Sequence, residues 1–175
     1  MAGAIGNALM RTAGPGKRLA KVGSRASYWA DNPSLISLLE KNPSKVIISL
    51  NGNGISGTRK LLSLINSYTG GEVPIVWTGA PPPIRRSKSW KKGLNSDEGF
   101  SKIYDARKKR NDTVKDIVES YGGTFIDPYD YILYSAPKNI GGRAFVSGYT
   151  CKSCDGIHLP SKTADAYVSK ISSLL

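Results

Sequence analysis

The chain has 175 residues, 39% of them hydrophobic, with 19 glycines, 10 prolines and a formal net charge of +12. That length suits one domain with a proper core, and residues 1–175 read as a single domain. No apolar run approaches the roughly 18–20 residues of a membrane span, and residues 1–6 are too short and weakly apolar for a signal-peptide core, so neither a span nor ordinary secretion is expected and no compartment is assigned. The excess of cations favours anionic surroundings: nucleic acid, anionic glycan or headgroups.

In chain order, residues 1–5 and Arg18-Leu19-Ala20-Lys21-Val22 are the weaker strand candidates. Residues 33–41 carry Leu35, Ile36, Leu38 and Leu39 on one side, with Asn32 as a cap, and predict a helix. Lys45-Val46-Ile47-Ile48-Ser49-Leu50 is a short apolar run bounded by turn residues, as a parallel strand buried on both faces would be. Leu61, Leu62, Leu64 and Ile65 predict a helix over residues 58–68. Val73-Pro74-Ile75-Val76-Trp77-Thr78 is the next strand, and residues 81–94 beyond it read as a long surface loop.

Residues 96–121 predict a long charged helix with a narrow stripe of Phe100, Ile103, Tyr104, Val114, Ile117 and Val118; its Asp105, Arg107 and Asp112 are expected to be solvated. Thr124-Phe125-Ile126-Asp127 is a third strand, with Asp127 placed to cap the following turn. Tyr129, Tyr131 and Tyr134 alternate as a strand face would. Residues 162–175 close the chain as a helix. Strands alternating with helices predict an α/β domain with a central, mostly parallel sheet.

In such sheets ligands sit beyond the carboxyl ends of the strands. Three polar or Gly-rich segments follow candidate strands: Gly6-Asn7-Ala8-Leu9-Met10, Gly23-Ser24-Arg25 and Asn51-Gly52-Asn53-Gly54. Near the C-terminus His158, the sole histidine, stands three residues after Asp155. An imidazole beside a carboxylate makes a general base at neutral pH. Cys151 and Cys154 precede it in a C-x-x-C; zinc needs about four ligands, so the pair reads as a loop disulfide or as free thiols, and no metal is expected. Arg85, Arg86 and Trp90 lie in a basic stretch where an aromatic can stack on a sugar or base while cations hold phosphate or carboxylate. A solvated loop is the plainer reading of that stretch. Trp29 and Trp77 read as core or pocket-wall aromatics.

In this order the segments resemble the four blocks of the SGNH (GDSL) hydrolases, and the resemblance covers nearly the whole chain. Asp155 and His158 match the C-terminal Asp-x-x-His, and Asn53 matches the Asn of the third block, although Asn51 replaces the usual Gly. Gly23 matches the second block, and Gly6-Asn7-Ala8-Leu9 aligns with the first, Gly-Asp-Ser-Leu. The resemblance implies a three-layer α/β/α sandwich of flavodoxin-like type. It also implies a serine esterase acting on a small-molecule or glycan ester, an acylated carbohydrate or cell-wall glycan above all, without cofactor. In that family a serine at position 8 would attack the ester carbonyl as His158 takes its proton. Asp155 would hold the imidazole's tautomer, while the N–H groups of residue 8 and Gly23 and the Asn53 amide would form the oxyanion hole.

Ala8 departs from that pattern, and a methyl group cannot form an acyl-enzyme. The chain is then a Ser→Ala form of an active enzyme or a pseudoenzyme that keeps the cleft to bind a glycan or other polyanion. The presence of Asp155, His158, Asn53 and Gly23 favours the former, as an engineered replacement. A nucleophile at Ser24 or Ser27 is a further alternative, but it leaves too little chain before Asn53 and no second block. Nucleic-acid binding through the basic stretch ranks last, because no nucleic-acid motif accompanies the charge.

Overall fold

A computed structural model describes residues 4–21, 23–50, 55, 57–83, 97–132, 137–140, 143–146 and 159–175. Helix α1 (Ala4–Thr12) opens the described chain. It takes Ala4 and Ile5 out of the strand expected over residues 1–5. Ile5, Ala8 and Leu9 recur at helical spacing and are all buried. Residues 18–21, the other weak strand candidate, form no regular structure. Leu19 alone among them packs on the core, so they lack the alternating apolar face that fixes a strand.

Two short helices follow, α2 (Ala26–Trp29) and α3 (Pro33–Leu39). Asn32 caps α3 as expected: its Oδ1 accepts from the N–H groups of Ser34 at 2.9 Å and Leu35 at 3.3 Å, and Pro33 sits where a missing N–H costs nothing. Then come β1 (Val46–Ile48), α4 (Thr58–Thr69), β2 (Ile75–Thr78), α5 (Asp97–Ser120) and β3 (Thr124–Ile126). Asp127 caps α6 (Pro128–Tyr131), accepting from Tyr129 N–H at 3.0 Å. That cap, with Pro128 at the first helical position, puts Tyr129 and Tyr131 in a helical turn instead of the expected strand; Tyr134 lies outside the described residues. An antiparallel hairpin, β4 (Pro137–Ile140) with β5 (Arg143–Val146), was not anticipated. Helix α7 (Ser161–Lys170) and a 3₁₀ turn at Ser172–Leu174 end the chain. No described helix is long and apolar enough to cross a membrane.

The protein is thus mixed α/β, with a small parallel sheet in the order β1-β2-β3 and Ile48, Trp77 and Phe125 in register across it. Side-chain alternation sends Ile48, Ile75 and Trp77 to one face, where they pack with Trp29, Leu39, Leu61, Leu62, Ile65 and Val118. Val76 and Ile126 go to the other, against Ile5, Ala8 and Leu9 of α1 and Ala164, Tyr167 and Val168 of α7. A polar bond crosses this second face. The hydroxyls of Thr78 and Tyr167, both buried, lie 2.6 Å apart, which ties α7 to the end of β2. Burial pushes the Tyr167 phenol well above its ordinary pKa, a rise that the Thr78 bond opposes.

Candidate functional site

A groove of about 790 Å³ runs beside β1. Its lining includes Gly6 and Leu9 of α1, Gly23 and Ser24 before α2, Ser49 and Leu50 after β1, and Leu159 before α7. Residues adjoining four segments far apart in sequence therefore meet at one depression.

Close backbone approach brings two of these segments together. Gly57, the cap of α4 just after residues 51–56, has φ 88°. A Cβ there would stand 2.3 Å from the Ser27 nitrogen, so only glycine lets α2 approach the start of α4 this closely. Gly23 occupies an exposed turn. Next to it, Ser24 is fully engaged. Its hydroxyl donates to the Lys21 carbonyl at 2.9 Å and accepts from the Trp29 indole at 2.8 Å. Ser24 thereby positions Trp29, a core residue that also lines the groove, as the reading of that tryptophan as a pocket wall requires.

Ala8 is the other candidate residue the structure describes. It is 1% exposed in the middle of α1, in the cluster that also contains Val76, Ile126, Leu159, Ala164 and Tyr167. Its neighbours Ile5, Gly6 and Leu9 line the groove, but Ala8 does not. Asn7 accepts a hydrogen bond from Arg18, tying residues 15–21 to α1, and Arg11 pairs with Asp165 of α7. Asn53, Asp155, His158, Arg85, Arg86, Trp90, Cys151 and Cys154 lie outside the described residues. Among the described residues no cluster of His, Cys, Asp and Glu could hold a metal ion.

The carboxyl end of β2 carries a polar arrangement that sequence reasoning missed. Asn111, 2% exposed, donates from Nδ2 to the Ala80 carbonyl and accepts at Oδ1 from the Ala80 N–H, both at 2.9 Å. The same Nδ2 donates to Asp127 at 3.0 Å, and Lys108 donates to the other Asp127 oxygen at 2.8 Å. That bond raises the Lys108 pKa. The approach demands glycine at position 79, where a Cβ would come 2.9 Å from the Asn111 amide and 2.6 Å from Phe125. Arg107, expected to be solvated, donates to the Pro81 carbonyl at 2.9 Å. Pro81, Pro82 and Pro83 are buried, so the segment read as a surface loop from residue 81 begins inside the protein. One signal was available: Asn111 falls in phase with Val114 and Val118, a polar residue on the apolar stripe.

Neither the family models, nor the curated proteins, nor the solved structures contain a match to this chain.

Proposed function

We propose that the chain carries the scaffold of an SGNH-type ester hydrolase, a three-layer α/β/α sandwich whose parent activity removes acyl groups from a carbohydrate or cell-wall glycan. The observation that supports this reading is the groove lined by residues adjoining all four blocks: Gly6 and Leu9, Gly23, Leu50, and Leu159. In this reading His158 takes the proton of a serine at position 8 as it attacks the ester carbonyl. Asp155 holds the imidazole, and the N–H groups of residue 8 and Gly23 with the Asn53 amide receive the oxyanion. With Ala8 there is no hydroxyl to activate, so this chain forms no acyl-enzyme.

The test is hydrolysis of a short-chain aryl ester by the Ala8→Ser protein, by the chain as given, and by Ala8→Ser combined with His158→Ala. Activity in the first alone is the expected result. Absence of activity that depends on His158 overturns the reading.

The burial of Ala8 favours a second reading, a non-catalytic module that holds a glycan or other polyanion. Ala8 is buried in the cluster shared by α1, the sheet and α7 and is not among the residues that line the groove, so packing by itself accounts for an alanine there. Retention of the unaltered chain on an anionic glycan at low salt, together with an inactive Ala8→Ser protein, would decide for this second reading; failure to bind would remove it.

A further inference from the structure

Among the described residues, strand β1 has β2 on one side only. The Val46 N–H donates to the Pro74 carbonyl at 2.9 Å, which turns the backbone groups of Val46 and Ile48 toward β2. Those of Ile47 therefore point the other way, toward the groove, and among the described residues its N–H and C=O have no backbone partner. Residues 17–21 run along the groove, but among the described residues no backbone hydrogen bond joins them to β1. Their bonds go elsewhere, from the Arg18 side chain to Asn7 and from Ser24 back to the Lys21 carbonyl.

Both helical sides extend past this edge. Leu35, Leu39 and Leu61 wall the groove on one face of the sheet, and Ile5, Leu9 and Leu159 on the other. The open edge runs from Lys45 to Leu50. Around it stand Lys17, Arg18, Lys21, Lys41 and Lys45, and among the described residues no Asp or Glu side chain lines the groove. Lys21 is held in place over the Tyr28 ring, 3.9 Å from its centroid.

We infer that this groove receives an extended peptide segment of a partner protein, which adds to β1 as a further strand. Its middle is apolar on both faces, over about the 5–6 residues of an ordinary strand, and its ends are acidic. Each property answers an observation. Only a backbone supplies alternating donors and acceptors to Ile47. Walls on both faces select apolar side chains at successive positions. The cationic rim selects carboxylates at the flanks. A fatty acyl chain would satisfy walls and rim but leave the Ile47 N–H and C=O unpaired in an apolar setting. A second copy of this chain would bring the same cations to the same edge. The inference does not depend on the hydrolase reading.

The test is fluorescence anisotropy of a labelled peptide of valines and isoleucines between glutamate pairs, titrated with the full chain at low salt. The peptide binds, and N-methylation of one alternate set of its amides weakens binding about tenfold or more, because those N–H groups face β1. N-methylation of the other set leaves it within about twofold. Lys17→Glu, Lys21→Glu and Lys45→Glu together, all exposed positions that the fold does not need, reverse the preference from glutamate-flanked to lysine-flanked peptides. Equal effects of the two N-methylated sets overturn strand addition. No binding of the peptide, or binding of dodecanoate in its place, overturns the peptide as ligand.

Discussion

Strands β1 and β2 have nearly the same chemistry, Val46-Ile47-Ile48 against Ile75-Val76-Trp77-Thr78, and they pair with each other in register. Their surroundings differ. β2 is paired on both edges, all four of its residues are buried, and its end is clamped by Asn111 and by Tyr167. Among the described residues β1 is paired on one edge, and only Ile48 of its residues is buried. An apolar run therefore specifies a strand that wants two covered faces and two neighbours, while the number it obtains is set by elements far away in sequence. The sheet thus has a half paired on both edges and clamped at its end, and a half that is paired on one edge among the described residues.

The largest test of that contrast is at the clamp. Asn111→Leu removes the two bonds to Ala80 and the bond to Asp127, leaving buried backbone groups unpaired, and should lower unfolding stability in urea by about 3–5 kcal/mol. A loss below about 1 kcal/mol would show that the end of β2 is held by packing alone.

Next in size is a matched pair of truncations. Ile75→Ala in β2, at a residue 4% exposed, should cost about 2–4 kcal/mol, whereas Ile47→Ala in the half-buried β1 should cost about half as much or less. Equal costs would break the comparison, since they would mean that the β1 edge is as fully covered as β2.

The smallest effect is expected at Tyr167, and it has a pH signature. The fold favours the neutral phenol, whose pKa is raised above its ordinary 10.0 by burial. Its contribution is therefore fully present below about pH 10 and declines as pH rises toward the folded pKa, by at most about 1.4 kcal/mol per unit. Tyr167→Phe should cost about 1–2 kcal/mol at pH 7, because the Thr78 hydroxyl loses its partner. It should also make the alkaline fall shallower. Urea unfolding at neutral pH and near pH 11 measures both, and an unchanged alkaline slope would place that titration elsewhere.

Much of the fold was legible in the residues. The runs around Ile47, Val76 and Phe125 became strands, the Leu-rich segments over 33–39 and 58–69 became helices, and Asn32 and Asp127 became caps, because periodicity and capping act within a few residues. The misses have two causes. Tyr129 and Tyr131 were claimed by the cap at Asp127, a local signal that overrode their alternation. Residues 4 and 5 lie in a helix packed in the cluster with α7, and Pro81–Pro83 are buried where Arg107 and Asn111 bond the chain, and these depend on partners outside the local window. At the candidate site, the order of the polar and Gly-rich segments was readable, but not whether residue 8 lines the groove.

The sequence by itself determined the α/β character, most element positions, the cationic surface and the absence of a serine at position 8, all of them properties of local pattern or composition. Tertiary structure alone decided that Ala8 is buried, that Asn111 is buried against Ala80, and that β1 keeps, among the described residues, an open edge between two apolar walls. The physical reason is that orientation, burial and edge pairing are relations between distant segments. An alanine, an asparagine or a valine run reads the same whichever neighbour it meets, and only packing selects the neighbour.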